Sequence, residues 1–337
     1  MNRYSLNAAR MAVMFFLLCG VLQAALSAES TSTPVTPTVS ATEVKELRLP
    51  HIFSKGMVLQ REMPVPIWGW APAGTTVQVE FAGQKTQATA DASGKWRVTL
   101  DPLKACNDGR ELKVTSTRNQ QPSILRVQDV LVGEVWFTAG QSNMMMALGS
   151  ATGGREFFEQ HHGEYGGRLR VVSSAGPNLL AEQPRDDVAA RWSQPNISYS
   201  AVSYWFAHKL FWHFNGEVPI GMITYPIIVP AEAWVDRPAL EKDPRLKPVL
   251  NDALQYDAKA YNGVICAIAP YTIRGVVYYQ GEYNGGRGLQ FRALMPALIR
   301  SWRAAWQQPD LPFLFVQLPK ICLCKIHQAR NLVYYLR

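Results

Sequence analysis

The chain has 337 residues, 47% hydrophobic and 18% charged, and a formal net charge of +8. That length supports one large or two ordinary domains with a real core. The charge sits largely at the ends, with Arg3 and Arg10 at one and Lys320, Lys325, Arg330 and Arg337 in the acid-free last eighteen residues at the other. The body between has no Lys/Arg cluster interleaved with aromatics, which argues against a nucleic-acid partner.

Arg3 and Arg10, the apolar run Met11 to Leu22 and the small residues Ala24, Ala25, Ser27 and Ala28 predict a secretory signal peptide over residues 1–28. The run is well short of the roughly 20 residues that span a bilayer. The mature chain is therefore expected in the periplasm or outside the cell, without membrane insertion. Cys19 follows the bulky Leu17 and Leu18 and reads as part of the apolar segment rather than a lipidation site. Residues 29–46, almost all Ser, Thr, Pro, Val and Ala up to Thr42, predict a linker that buries too little apolar surface to order itself.

Residues 47–128 alternate in short runs, Val77, Val79 and Phe81, then Trp96, Val98 and Leu100. Turns are expected at Pro72-Ala73-Gly74, Asp91-Ala92-Ser93-Gly94 and Asn107-Asp108-Gly109. This predicts a small β-sandwich in which nothing marks a site. Cys106 and Cys266 are the cysteines of the body, too few for a disulfide framework. Cys322, Cys324 and His327 do not match the spacing of a closed zinc site.

From residue 129 the period changes. Val130 to Thr138, Leu169 to Ser173, Val218 to Thr224, Arg274 to Gln280 and Pro312 to Leu318 are apolar runs of strand length. Tyr204, Trp205, Phe206, Leu210, Phe211 and Phe214 give an intervening helix an apolar face, ended by Gly216. Strands alternating with helices predict an α/β domain over 129–319, a parallel sheet covered on both faces. Ligands of such sheets sit in the loops at the carboxyl ends of the strands.

Two of those loops are chemically informative. Thr138-Ala139-Gly140-Gln141-Ser142-Asn143-Met144 follows the first strand, and a serine in a strand–turn–helix would present its hydroxyl beside backbone N–H groups able to stabilise an oxyanion. It is not the Gly-x-Ser-x-Gly elbow, because Met144 stands where the second glycine belongs. Taken alone, such a serine is usually an N-cap. Gln280-Gly281-Glu282-Tyr283-Asn284 follows the fourth strand and fits a pocket in which Asn284 donates its amide to an oxyanion while Gln280 or Glu282 binds sugar hydroxyls. Trp205, Trp212 and Trp234 are read as core rather than as sugar-stacking surfaces.

Val132-Gly133-Glu134-Val135-Trp136 followed by Gly140-Gln141-Ser142-Asn143-Met144, then Ala201-Val202-Ser203-Tyr204-Trp205-Phe206, Glu232-Ala233-Trp234, Tyr261-Asn262-Gly263, Ile273-Arg274-Gly275-Val276 and Gln280-Gly281-Glu282, resembles the bacterial sialate O-acetylesterase family of SGNH hydrolases. Met57-Val58-Leu59-Gln60-Arg61 and Pro64 to Trp70 resemble its amino-terminal region, so the likeness covers about residues 48 to 319. It implies an SGNH-hydrolase-like (flavodoxin-like) three-layer parallel sheet preceded by the sandwich. It also implies removal of acetyl groups from hydroxyls of sialic acid or other sugars through an acyl-enzyme. Carried over by position, Ser142 is the nucleophile and Asn284 an oxyanion-hole side chain. Gln141, Asn143, Gln280 and Glu282 line the substrate pocket, and no metal or organic cofactor is implied.

The sequence departs from that pattern in two places. Where the family has a Gly-Gly turn, Tyr225-Pro226-Ile227-Ile228-Val229-Pro230 has no glycine, so an oxyanion donor is expected to be lost or misplaced. The family's Asp-x-x-His, whose histidine is the general base, does not occur; His51, His161, His162, His208, His213 and His327 stand in other contexts. Lesser departures are Met145, where an acid is common, and Tyr283, where a serine is usual. The abruptly basic residues 320–337 are read as an atypical tail, and the chain as a truncated or frame-shifted product. A remnant that binds carbohydrate without turnover is the alternative function.

Overall fold

The computed structural model describes residues 46–118, 121–251 and 256–318. The expected signal peptide, all but the last residue of the linker and the 320–337 tail, with Cys322, Cys324 and His327, lie outside the described residues. Six strands come first: β1 (Val58–Gln60), β2 (Val65–Trp70), β3 (Thr76–Phe81), β4 (Gln84–Thr89), β5 (Lys95–Leu100) and β6 (Cys106–Arg118). The predicted alternation is realised, with Val77, Val79 and Phe81 on β3 and Trp96, Val98 and Leu100 on β5 all buried. β2 pairs antiparallel with β5, and β4, β3 and β6 follow one another in a second antiparallel ladder. The turn expected at Asn107-Asp108-Gly109 is instead part of β6. Register shifts between Cys106 and Arg110, and between Arg110 and Leu112, absorb the irregularity that the turn-forming residues signal.

β7 (Gln121–Gly140) is a single strand of 20 residues. Its first part pairs antiparallel with β6 from Gln121 to Val132, and its last part is parallel to two strands of the following region. The boundary expected between residues 128 and 129 thus falls inside a strand. Asp129, at φ 60°, redirects the chain there. Gly133 then lets the strand pass close to the backbone of Pro219, whose carbonyl oxygen would lie 1.9 Å from a Cβ at this position. From Val130 to Gly140 every residue of β7 is buried, as a strand covered on both faces must be.

The remaining strands are β8 (Leu169–Ser173), β9 (Ile220–Pro226), β10 (Gly275–Tyr279) and β11 (Phe313–Phe315). With the end of β7 they form a parallel sheet in the order β8-β9-β7-β10-β11. The helices are α1 (Ser142–Met145), α2 (Gly154–His161), α3 (Ala201–His213), α4 (Arg237–Lys242), α5 (Cys266–Ile268) and α6 (Gly288–Trp306). Val135, Phe137, Ile223, Val276 and Tyr278 pack on one face with Leu294, Leu298 and Trp302 of α6. Trp136, Met222, Val277 and Tyr279 pack on the other with Tyr204, Ala207 and Phe211 of α3. The three layers are those the alternation of strands and helices predicts.

α3 begins at Ser200, whose Oγ accepts the Ser203 N–H at 3.2 Å, and closes with the Gly216 N–H donating to the Phe211 carbonyl at 2.9 Å. Trp234 is fully buried and Trp205 packs against the core, as expected, but Trp212 is 45% exposed because it lies on the outer side of α3. None of the described helices is long and apolar enough to cross a membrane.

Candidate active site

Gly140 pairs with Tyr279 of β10 on one side and with Pro226 of β9 on the other, so the chain leaves three adjacent parallel strands at one level. In sheet order β7 is followed in sequence by β8 on one side, whereas β10 leads to β11 on the other. The carboxyl ends of β7 and β10 therefore flank a topological switch point, where open α/β sheets bind ligands.

At Gly140 the backbones come so close that a Cβ would meet the Tyr279 carbonyl oxygen at 2.1 Å. The following Gln141 N–H donates to that same oxygen at 3.1 Å, and the Ile227 N–H donates to the Gly140 carbonyl at 2.8 Å. This clamp fixes where α1 starts. Ser142, its first residue, is exposed, while Met144 two positions on is fully buried. Because α1 is one turn long, its start presents individual N–H groups rather than a summed dipole.

Beneath that turn lies a buried chain of hydroxyls that the sequence did not reveal. Tyr199 OH meets Thr224 Oγ1 at 2.5 Å, Thr138 Oγ1 donates to Thr224 Oγ1 at 2.7 Å, and Thr138 Oγ1 lies 2.9 Å from Ser203 Oγ. Ser200 and Ser203 each direct a hydroxyl at Met144 Sδ at 3.6 Å. Burial raises the Tyr199 phenol well above the ordinary tyrosine range, so it stays protonated.

The predicted pocket residues are brought together, though several hold one another. The buried Gln141 turns its amide oxygen to the Tyr283 N–H at 3.2 Å and ties the first loop to the second. Asn143 Nδ2 donates to Glu282 Oε1, a second tie, leaving Glu282 exposed at the rim. Gln280 Nε2 donates to Asn284 Oδ1 at 2.8 Å, and Gln280 Oε1 is buried with no hydrogen-bond partner among the described residues. Tyr279 is raised above the ordinary phenol range, first by burial and then by the Glu282 charge.

Asn284 is 1% exposed and its amide is densely engaged. Oδ1 accepts from the Ala231 N–H at 2.9 Å as well as from Gln280, and Nδ2 donates to Glu232 Oε2 at 2.8 Å. Glu232, 2% exposed, also pairs with Arg287 Nη2 at 2.7 Å. The sequence singles out Glu232 only as part of a short motif; an acid in the loop that follows the buried strand β9 was the available signal for its place here. The loop without glycine, Pro226 to Pro230, buries Ile227 and Val229 and leaves Ile228 53% exposed.

The described histidines stand elsewhere. His51 is exposed and bonds Asp187 at 2.6 Å. His161 and His162 each bond the carbonyl four residues earlier in α2, at Phe157 and Phe158. His208 Nδ1 meets Tyr165 OH at 2.9 Å, and burial, then His161 and Lys209, lower its pKa. His213 is exposed at the end of α3. None of these five has a hydrogen bond to Ser142 among the described residues. A cavity of about 450 Å³, lined by Trp68, Trp70, Lys95, Arg97, Asp186 and Cys266 among others, contains none of the six predicted site residues.

The model of the family described as carbohydrate esterase, sialic acid-specific acetylesterase, matches residues 132–333. The match starts within β7 and runs beyond residue 319, the end of the resemblance read from the sequence. Sialate O-acetylesterase of Rattus norvegicus is 30% identical over 325 residues, which cover 79% of this chain and 59% of that protein. The Homo sapiens protein of the same name is 30% identical over 304 residues, covering 80% and 57%. The chain thus spans less than two thirds of the length of these relatives. A carbohydrate acetylesterase from Xanthomonas citri, known from its crystal structure, superposes with a TM-score of 0.68 at 31% identity, covering 81% of this chain and 60% of its own.

Proposed function

We propose, from the premise that this chain belongs to the carbohydrate esterase family of sialic acid-specific acetylesterases, that it removes O-acetyl groups from sialic acid or another sugar by acyl transfer to Ser142. One observation carries this reading: Ser142 is exposed at the head of a clamped turn, two residues past the end of the central strand β7, whose last residue pairs with the ends of both neighbouring strands.

Ser142 Oγ attacks the acetyl carbonyl and gives up its proton, and the carbonyl π electrons move onto the oxygen as the tetrahedral adduct forms. Backbone N–H groups at the start of α1 and the Asn284 amide are the donors proposed for that oxyanion. Collapse of the adduct breaks the bond to the sugar oxygen, which leaves protonated as the free hydroxyl. Water attacks the acetyl-serine in the same way and releases acetate. The base that takes the serine proton belongs, by resemblance, to a histidine, and the described histidines supply none at hydrogen-bonding distance. That observation favours a second reading, a protein that binds the acetylated sugar and does not turn it over.

The purified chain is expected to release acetate from O-acetylated sialic acid or p-nitrophenyl acetate and to lose that activity in Ser142→Ala. Absence of Ser142-dependent turnover with calorimetric binding of the acetylated sugar retained decides for the second reading. Absence of both refutes each. The apolar Met11 to Leu22 run also supports export as part of this reading, which amino-terminal sequencing of the mature protein from cell fractions tests.

A further inference from the structure

The Asn284 amide has four hydrogen-bonding positions, two lone pairs on Oδ1 and two hydrogens on Nδ2. Three are occupied: Oδ1 by the Ala231 N–H at 2.9 Å and Gln280 Nε2 at 2.8 Å, and one Nδ2 hydrogen by Glu232 Oε2 at 2.8 Å. The orientation is not arbitrary, because the Ala231 N–H can only donate and so must face oxygen. A carboxylate only accepts, so Glu232 must face Nδ2. One N–H of a side chain that is 1% exposed has no partner among the described residues.

Glu232 is the member of this set that has no other duty at the site. It is 2% exposed, its second oxygen lies 2.7 Å from Arg287 Nη2 as an ion pair without hydrogen-bond geometry, and its backbone carbonyl accepts from the Ala258 N–H at 3.1 Å. A buried carboxylate needs a donor and a compensating charge to be tolerated; Asn284 is the donor and Arg287 the charge. We infer that Glu232 is a positioning residue: by taking one Nδ2 hydrogen it fixes the plane of the Asn284 amide and leaves a single, directed N–H for the developing oxyanion. This rests on the reading of Asn284 as an oxyanion-hole side chain.

Glu232→Gln keeps the shape and removes one acceptor. The new amide can accept from Asn284 or from Arg287 but must present its own N–H₂ to the other, so the Asn284 plane is released. The test pairs kinetics with the Asn284 side-chain amide resonance in ¹⁵N spectra, identified by its loss in Asn284→Asp. In Glu232→Gln the resonance is expected to move, kcat to fall by about 10–10²-fold, part of the 10²–10³ for losing a whole donor, and KM to stay within about twofold, the pattern of an interaction made only in the transition state. Glu232→Asp, which retains both acceptors, should recover part of the loss and serves as the readout if Glu232→Gln does not fold. An unmoved resonance overturns the inference, as does a moved resonance with kcat unchanged. If the wild-type chain shows no Ser142-dependent turnover, the esterase reading fails separately and the resonance alone decides whether Glu232 holds the amide.

Discussion

Replacing Gly140 with alanine places a methyl group where β7, β9 and β10 are drawn together. The added Cβ would lie 2.1 Å from the Tyr279 carbonyl oxygen and 2.7 Å from its carbon, against 3.4 Å or more for ordinary contact. Both neighbours are backbone of a fully buried strand, so no side chain can swing away. Relief requires β7 and β10 to part at their last paired residues, which breaks the bond from the Gln141 N–H to Tyr279 and weakens that from Ile227 to Gly140. One hydrogen bond lost and one weakened, about 1–2 kcal/mol together, with an overpacking cost of about 1–3 kcal/mol, predict a loss of about 2–5 kcal/mol. Urea unfolding followed by tryptophan fluorescence measures it. Because the same clamp sets the start of α1, Ser142 moves too, and a displacement of order 1 Å is expected to lower turnover by about 10²-fold. A Gly140→Ala protein within about 1 kcal/mol of wild type and with unchanged turnover would falsify the clamp as the device that places Ser142.

Two further perturbations probe the surroundings. Thr224→Val removes the hydroxyl that joins Tyr199 to Thr138 and is expected to cost about 1–2 kcal/mol in urea unfolding; adding Tyr199→Phe should cost less than the two single changes together, and strict additivity would mean the hydroxyls are not coupled. His208 has a folded-state pKa below that of the unfolded chain, so the unfolded state binds more protons as pH falls. Its contribution is complete above the unfolded value of about 6.5 and is lost as pH falls toward the lower folded one. His208→Gln should therefore flatten the decline of Tm on acidification below neutrality, and an unaltered pH profile would exclude His208 as its source.

The sequence carried much of this arrangement because the signals were periodic. The runs Leu169 to Ser173 and Arg274 to Gln280 became β8 and β10 to within a residue at each end, since a strand buried on both faces leaves an unbroken apolar stretch. Ser142 was legible from its place between such a run and a helix. What stayed hidden depends on tertiary neighbours. Nothing in Asn107-Asp108-Gly109 says that β7 will continue the ladder past a bulge, so turn chemistry prevailed in the reading. Thr138, Ser203 and Thr224 are commonplace residues on separate elements, and only packing turns them into a network. Asn143 and Glu282, both read as facing substrate, are 139 positions apart and face each other.

β7 has consequences for how the molecule comes apart. Its first half is held by β6 and its second by β9 and β10, so one continuous strand joins the two ladders. Free energy lost anywhere along the antiparallel ladder, for instance at the buried Val114, is charged to the same strand that ends at Gly140. The amino-terminal strands thereby act at a distance as a thermodynamic reserve for the serine turn, and natural variation far from Ser142 can thin the population in which that turn is assembled.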